Sequence, residues 1–141
     1  MYKRLAGVLI AIALLAGCGR APPEQRLRNT IAAVQTSIEH HDAAGLKAVL
    51  ATDFVGPEGL DRDGAVRLAQ LMYLQYHELG VHPGPLDVMV QGEHATVRFQ
   101  AALAGGAGML PDAARLYDVE TGWRLEDGDW KLTSATWTAR L

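Results

Sequence analysis

Apolar residues between positions 24 and 40 recur with the period of a helix. They lie three or four positions apart and predict a helix from Glu24 to about His40 with a single buried stripe, formed by Leu27, Ile31, Val34 and Ile38. Asp42 is placed to cap a second, shorter helix that continues through Leu46, Val49 and Leu50. Two helices are therefore expected first.

A third helix is predicted to begin at Asp61 or Asp63 and to run to Leu79, with Gly80 as its terminator. The residues predicted to share its buried side are Ala65, Leu68, Met72, Tyr76 and Leu79. The sequence Gly-Pro-Glu-Gly at positions 56–59 indicates the turn before it, and His-Pro-Gly-Pro at 82–85 closes the helical part.

From Leu86 onward the apolar period changes to two, which predicts strands. A hairpin about Gly92-Glu93 pairs Gln91 with His94 and sets Val88 opposite Val97. A second hairpin turns at Asp127-Gly128 and places these pairs on the core face: Leu125/Trp130, Trp123/Leu132, Thr121/Ser134, Val119/Thr136 and Tyr117/Thr138. The same register directs Trp137 outward, opposite Asp118, and residues 105–113 form a flexible connection.

Composition sets the class of protein. The 141 residues are 49% apolar, which is enough for one domain with a real core. A single cysteine excludes an intrachain disulfide, and 13 basic against 16 acidic residues give no indication of a nucleic-acid partner.

The first 18 residues predict an export signal. Lys3 and Arg4 precede an apolar run from Leu5 to Ala16, which is too short for a mature membrane-spanning helix. The sequence Leu-Ala-Gly-Cys at 15–18 resembles a bacterial lipobox, in which Cys18 is acylated and becomes the first mature residue. This resemblance implies a signal peptide at 1–17, a lipidated cysteine and short tether at 18–23, and a domain at 24–141.

A lipid anchor on Cys18 would be the protein's attachment to the membrane. Loss of Lys3 and Arg4 leaves 11 basic and 16 acidic residues, a net charge of −5 that does not attract an anionic bilayer. Gly19 follows the cysteine where an aspartate would favour inner-membrane retention, so we expect the periplasmic face of the outer membrane.

Two segments resemble the nuclear-transport-factor-2-like (NTF2-like, or SnoaL-like) superfamily. One is His-Asp-Ala-Ala-Gly-Leu-Lys-Ala-Val-Leu-Ala-Thr-Asp-Phe at 41–54, and the other is Gly-Trp-Arg-Leu-Glu-Asp-Gly-Asp-Trp-Lys-Leu at 122–132. The resemblance implies an α+β cone, with three N-terminal helices packed on a curved antiparallel sheet around a pocket. That fold carries isomerases, dehydratases, polyketide cyclases and inert binding modules, so function depends on particular residues.

Catalytic chemistry finds little support. The isomerase-like members use a tyrosine that aligns at or near Val34 and a carboxylate that aligns near Glu58. Val34 cannot donate a proton, which leaves Glu58 as a weak candidate for a catalytic base. A position in a solvated turn accounts for Glu58 equally well. Asp42 and Asp53 are interpreted as cap and turn residues. No metal site or cofactor is predicted, because the histidines lack a recognised zinc-ligand spacing.

The remaining candidates would line an apolar pocket with a few polar groups. They are Val34, Ile38, Met72, Tyr73, Tyr76, Phe99, Tyr117, Thr121, Trp123 and Ser134. Core packing explains the same side chains equally well. Trp137 suggests a homodimer interface on the outer face of the sheet, or else local packing against a terminus.

These patterns favour a non-enzymatic, outer-membrane-anchored periplasmic lipoprotein that binds a small apolar ligand or an envelope protein. Two alternatives remain: an isomerase- or dehydratase-like enzyme using Glu58 with Tyr73 or Tyr76, and an immunity-type or inhibitory lipoprotein. The ligand, the partner and the oligomeric state are not predicted.

Overall fold

A computed structural model describes residues 21–106 and 113–140, so the predicted signal peptide at 1–17 and Cys18 lie outside the described residues. The helices are α1 (Pro23–Glu39), α2 (Ala43–Val49) and α3 (Arg62–Gln75), with a 3-10 turn at Pro57–Gly59. The strands are β1 (Leu50–Val55), β2 (Glu78–Pro83), β3 (Asp87–Gln91), β4 (His94–Gly106), β5 (Ala113–Glu126) and β6 (Asp129–Ala139).

The strands form one sheet in the order β1-β6-β5-β4-β2, and β3 also pairs with β4. The pairing of β1 with β6 is parallel, whereas the other pairs are antiparallel. The three helices pack on this curved, open sheet, which confirms the predicted α+β class. We call the face toward the helices the inner face; it carries Val97, Thr121 and Trp123.

The helix starts follow from local sequence. Pro23 occupies the first position of α1, where its missing N–H removes no hydrogen bond. The Asp42 carboxylate accepts from the Gly45 N–H at 2.9 Å, and the Asp61 carboxylate accepts from Gly64 at 2.7 Å. Both aspartates satisfy a backbone donor that the helix itself leaves unpaired.

Two strands occupy segments that were predicted as helix. α3 ends at Gln75 rather than Leu79, and Leu79 is a buried residue of β2, paired with Gly105. Leu50 begins β1 instead of ending α2, and it pairs with Leu132. In both cases pairing with a distant strand overrides the local helical period.

The core lies between α1 and the inner face. Leu27 of α1 and Val97 of β4 are fully buried, and the two tryptophans Trp123 and Trp130 pack beside them. The Trp130 Nε1–H donates to the Pro23 carbonyl at 3.0 Å, which ties the start of α1 to the sheet. Both large rings therefore stabilise the contact between the first helix and the last hairpin.

The first hairpin has the predicted register, from Gln91/His94 to Asp87/Arg98. The second is correct from its turn to Trp123/Leu132 and wrong beyond it, because a β-bulge leaves Thr133 unpaired and sets Gly122 opposite Ser134. An extra residue moves every later side chain of β6 to the other face.

The bulge therefore corrects the predicted faces of β6. Ser134, Thr136 and Thr138 lie on the outer face, whereas Ala135 is buried on the inner face. Trp137 pairs with Val119 and so belongs to the inner-face row, not to the outward position expected for it. A Cβ at Gly122 would stand 2.5 Å from the Ser134 Oγ, so any larger residue there would force the Ser134 side chain to move.

A two-sided ion pair joins β1 to the sheet across β6. The Arg124 guanidinium donates to both carboxylate oxygens of Asp53, at 3.0 and 2.8 Å, and also to Glu126 at 2.7 Å. Hydrogen bonding to Arg124 lowers the pKa of Asp53 below its ordinary 3.8. The parallel edge strand is thus fastened by side chains as well as by its backbone.

The turn between α1 and α2 is joined to α3 by stacked rings. His41, at φ 56°, lies against Tyr73 with ring centroids 4.5 Å apart and planes inclined by 14°. The His41 Nε2 and the Tyr73 hydroxyl are buried without a hydrogen-bond partner among the described residues. This joint is therefore made by ring contact, not by polar bonds.

The outward side of the edge strand β2 is covered by α1. Gln35 Nε2 donates to the Val81 carbonyl at 2.7 Å, and the Glu39 carboxylate accepts from the Val81 N–H at 3.1 Å. These two bonds satisfy backbone groups that an edge strand leaves unpaired. Within residues 21–106 and 113–140, none of the helices has the length and apolar character needed to cross a membrane.

We predict that Asp53→Asn destabilises the protein at neutral pH and not in acid. A carboxylate whose pKa is lowered on folding stabilises the folded state above its unfolded pKa, and this contribution is lost as the pH falls through the lower, folded pKa. Urea unfolding of wild type and variant should show a difference at pH 7 that disappears once the pH has fallen below the lowered, folded-state pKa of Asp53. Asp127→Asn, at an exposed turn, is the control, and a gap that persists in acid would contradict the role of Arg124.

We predict that Tyr73→Phe leaves stability at pH 7 unchanged or raises it by up to about 1 kcal/mol, because it retains the ring and removes an unpartnered hydroxyl. Burial, and secondly the Asp42 carboxylate, raise the pKa of Tyr73. The un-ionised Tyr73 side chain therefore contributes to the stability of the fold below its unfolded pKa of about 10. This contribution is lost as the pH rises from there through the higher pKa of the folded state.

Thermal unfolding at pH 7 and in alkali tests this prediction. Wild type should lose more stability in alkali than Tyr73→Phe, whereas His41→Asn, which tolerates a positive φ, should lose the stacking at both pH values. A clear loss of stability in Tyr73→Phe at pH 7 would show that the hydroxyl has a partner.

Candidate functional site

A cavity of about 300 Å³ lies between the end of α3 and the inner face of the sheet. Its lining comes from α3 and the residue after it, from β2, and from the facing ends of β4 and β5: Met72, Gln75, Tyr76, Leu79, Leu103, Gly105, Arg115 and Tyr117. We call this space the inner cavity. Its size is at the lower end of the range for small-molecule sites.

The position of Tyr76 depends on a glycine. A Cβ at Gly105 would stand 2.8 Å from Cδ1 of the Tyr76 ring, so the ring lies directly on the backbone of β4. Tyr76 is also the residue that caps the end of α3, with its N–H donating to the Met72 carbonyl at 2.8 Å. The helix end and the absent side chain together hold the tyrosine ring at the cavity wall.

The structure brings three of the predicted pocket residues together, namely Met72, Tyr76 and Tyr117. Val34 and Phe99 are partly buried and pack against the core, and Phe99 also borders the outer groove described below. Tyr73 and Ser134 lie elsewhere, Tyr73 in the stack with His41 and Ser134 exposed on the outer face. Ile38 on α1 is half-buried and does not line the inner cavity.

Thr121 and Trp123 are core residues whose polar atoms are already bonded. The Trp123 Nε1–H donates to the Thr121 Oγ1 at 2.8 Å, and that hydroxyl donates to the Val97 carbonyl at 3.0 Å. Both residues are more than 90% buried. This chain satisfies two buried polar groups and leaves neither donor directed toward a ligand.

Glu58 lies in the 3-10 turn with a positive φ of 59°, exposed to solvent, and it lines neither the inner cavity nor the outer groove. The carboxylate expected to serve as a catalytic base is therefore not part of the inner cavity, which Tyr76 lines. In residues 21–106 and 113–140, no three His, Cys, Asp or Glu side chains form a group able to hold a metal ion.

Arg115 is the residue that the sequence analysis missed. It pairs with Leu103 across β4 and β5 and lines the inner cavity two positions before Tyr117. The face pattern from Trp123 through Thr121 and Val119 to Tyr117 extends to Arg115 when β5 is allowed to begin at Ala113. The glycine-rich connection was instead expected to last until that residue.

The outer face carries a shallow polar groove of about 520 Å³. Its centre holds the Arg98–Glu120 ion pair, in which Arg98 Nε donates to Glu120 at 3.1 Å. Trp137 does not line this groove, because the bulge places it on the inner-face row, where it is 39% exposed. The predicted outward direction of Trp137 is therefore wrong, whereas the homodimer itself stays a prediction.

Apolar side chains are also exposed along α3. Leu68, Leu71 and Leu74 are 40%, 64% and 84% exposed, although Leu68 was expected to be buried. The half-buried side of α3 carries Ala65, Ala69, Met72 and Tyr73. The three leucines lie on the opposite, solvent-exposed side of the helix. We call these three residues the leucine strip.

No protein-family profile matches the sequence, and no curated protein matches it. Solved structures do share its fold. An NTF2-like protein of unknown function from Pseudomonas putida KT2440 has a TM-score of 0.72 at 17% identity, over 84% of this chain and 87% of that one. A proposed dehydratase of the NTF2-like family from Streptomyces avermitilis has a TM-score of 0.72 at 19% identity, over 83% and 95% of the two chains.

Bd1075 of Bdellovibrio bacteriovorus has a TM-score of 0.73 at 12% identity and matches 82% of this chain. This chain spans 41% of the length of that protein, so the two share a domain and not a whole architecture. At identities of 12 to 19% these likenesses establish the architecture alone. The chain has the NTF2-like fold.

Proposed function

We propose that the protein is a lipid-anchored periplasmic binding protein that holds a small, largely apolar molecule in the inner cavity. The observation that carries the proposal is the cavity itself, in which Met72, Leu79 and Leu103 form apolar walls and two tyrosines supply polar groups. An apolar surface with a few polar groups is the usual character of a small-molecule site.

Catalysis is not part of the proposal. The expected base Glu58 is exposed in a turn outside the cavity. Tyr73 is engaged in a ring stack with His41. Among the described residues, the lining of the inner cavity includes neither a carboxylate nor a histidine, the side chains most often used for proton transfer.

The membrane part of the proposal rests on the lipobox-like sequence that ends at Cys18. α1 begins five positions later at Pro23, whose carbonyl is bonded to Trp130. Five residues reach at most roughly 17 Å, so an acylated Cys18 would hold the domain close to the bilayer. The anchored end of the domain would be the one that carries the β5–β6 turn.

We predict that Leu103→Trp abolishes ligand binding, because the indole would fill much of the inner cavity. The probe is the neutral fluorophore N-phenyl-1-naphthylamine, whose emission increases on transfer from water to an apolar site. Its affinity should fall about tenfold or more in this variant. Tyr117→Ala, which removes one wall, should weaken binding as well.

Leu116→Trp is the matched control. Leu116 lies on β5 opposite Ala102, the residue before Leu103, and is 55% exposed on the outer face of the sheet. It should bind the fluorophore as wild type does, and circular dichroism should show that all variants are folded. Equal binding by a folded Leu103→Trp would overturn the cavity as the site. Native mass spectrometry of the protein extracted from its own envelope would then test whether it co-purifies with a protein partner bound at the leucine strip.

We predict that Cys18→Ser abolishes lipidation and membrane attachment. Cys18 is the single cysteine of the chain, so loss of radiolabelled palmitate incorporation in this variant reports on that residue alone. Wild type should partition into the detergent phase of a Triton X-114 extract and the variant into the aqueous phase. Label retained by Cys18→Ser, or unlabelled wild type, would contradict the anchor while leaving the cavity proposal intact.

A further inference from the structure

Among the described residues that line the inner cavity, one carries a charged side chain, Arg115. Arg115 shares the inner face of β5 with Tyr117, Val119, Thr121 and Trp123, a row whose other members are apolar, aromatic or hydroxyl-bearing. Alternation along the strand directs Arg115 toward the inner face, where it lines the inner cavity and remains exposed to solvent. Its guanidinium is therefore accessible to an anion that enters the cavity.

The surroundings of Arg115 are suited to an anion with an apolar body. Of the eight lining residues Arg115 alone is charged at neutral pH, and Leu103 lies directly across from it on β4. None of the ion pairs within the described ranges includes Arg115. A guanidinium beside apolar walls forms stronger bonds to a carboxylate than it would in open water.

We propose that the inner cavity selects a small amphipathic carboxylate, with the acid group at Arg115 and the apolar body between Met72, Leu79 and Tyr76. This inference rests on the proposed binding function and names the chemical class of its ligand. Gln75 and the Tyr117 hydroxyl supply further polar groups in the lining. A cation would be repelled by the arginine, and a neutral ligand would leave the guanidinium without an anion.

The volume of the inner cavity favours a ligand whose apolar part is compact. The space is about 300 Å³, which suits a fused aromatic ring system or a short aliphatic chain more than a full-length lipid. Tyr76 and Tyr117 provide two aromatic rings at the wall. Aromatic rings pack on one another in offset or edge-to-face arrangements, which adds to the contact made by area alone.

The test compares 2-naphthoate with 2-naphthamide, which have nearly the same shape and differ in charge. Each displaces bound N-phenyl-1-naphthylamine from wild type and from Arg115→Gln. Wild type should prefer the acid by roughly three- to tenfold, and the variant should show no preference while it binds the neutral fluorophore as before. The preference should decline as salt is added, since the guanidinium is exposed at one side.

Two further variants distinguish a specific contact from net charge. Arg67→Gln removes the same charge from the exposed side of α3 and should retain the preference for the acid. Arg115→Lys keeps the charge and loses the planar fork, so it should retain part of the preference. Loss of preference in Arg67→Gln would overturn the assignment to Arg115.

The outcomes separate the two proposals. Equal affinity of wild type for the acid and the amide, with the fluorophore still bound, would overturn the carboxylate inference and leave the binding function standing. Failure of folded wild type to bind the fluorophore and both naphthalene compounds would overturn both. An acid preference that Arg115→Gln retains would place the anion site elsewhere.

Discussion

The arrangement of this protein depends on the strict alternation of side chains along β4, β5 and β6, and on the single residue that interrupts it. Up to Leu132 the inner face of β6 follows directly from the Asp127-Gly128 turn. At Thr133 the bulge inserts one position, and Gly122 makes room for Ser134. Ala135 is thereby buried, and the hydroxyl residues after it lie on the outer face. Without the bulge, three polar residues would face the helices and Trp137 would lie among charges.

The same alternation explains how the cavity arises. β4 places Ala101, Leu103 and Gly105 successively on the inner face. The strand therefore has no side chain on that face at Gly105, near the end of α3. Tyr76 occupies part of the room that Gly105 leaves, and the remainder is the inner cavity. Toward the other end, Val97, Thr121 and Trp123 fill the space between sheet and α1 completely. One continuous face is therefore core at one end and site at the other.

The features predicted correctly are those that depend on residues close together in the sequence. The caps Asp42 and Asp61, the start of α1 and the turn-proximal registers of both hairpins each depend on a few neighbouring residues, and the structure confirms them. β1 and β2 depend on pairing with distant strands, so the helical period of Leu50 and Leu79 was misleading. Of the site, Met72, Tyr76 and Tyr117 were predicted from their faces. Arg115 was missed because the predicted core-face pairs began at Tyr117, whereas β5 begins at Ala113 and its alternation includes Arg115.

The inner cavity and the start of α1 lie at opposite ends of the sheet, which would orient the domain on a membrane if Cys18 carries the proposed anchor. Arg115 lies near the start of β5, and the turn after Glu126 is close to Trp130, which holds Pro23 at the start of α1. Arg115 and Glu126 are eleven positions apart along the strand, a span of up to roughly 35 Å. A lipid on Cys18 would thus fix the domain by the end that is closed by core packing. The inner cavity would open away from the bilayer, where an amphipathic acid arrives through water and the guanidinium is accessible to it. Such an orientation favours capture of a dissolved molecule over extraction of a lipid from the membrane.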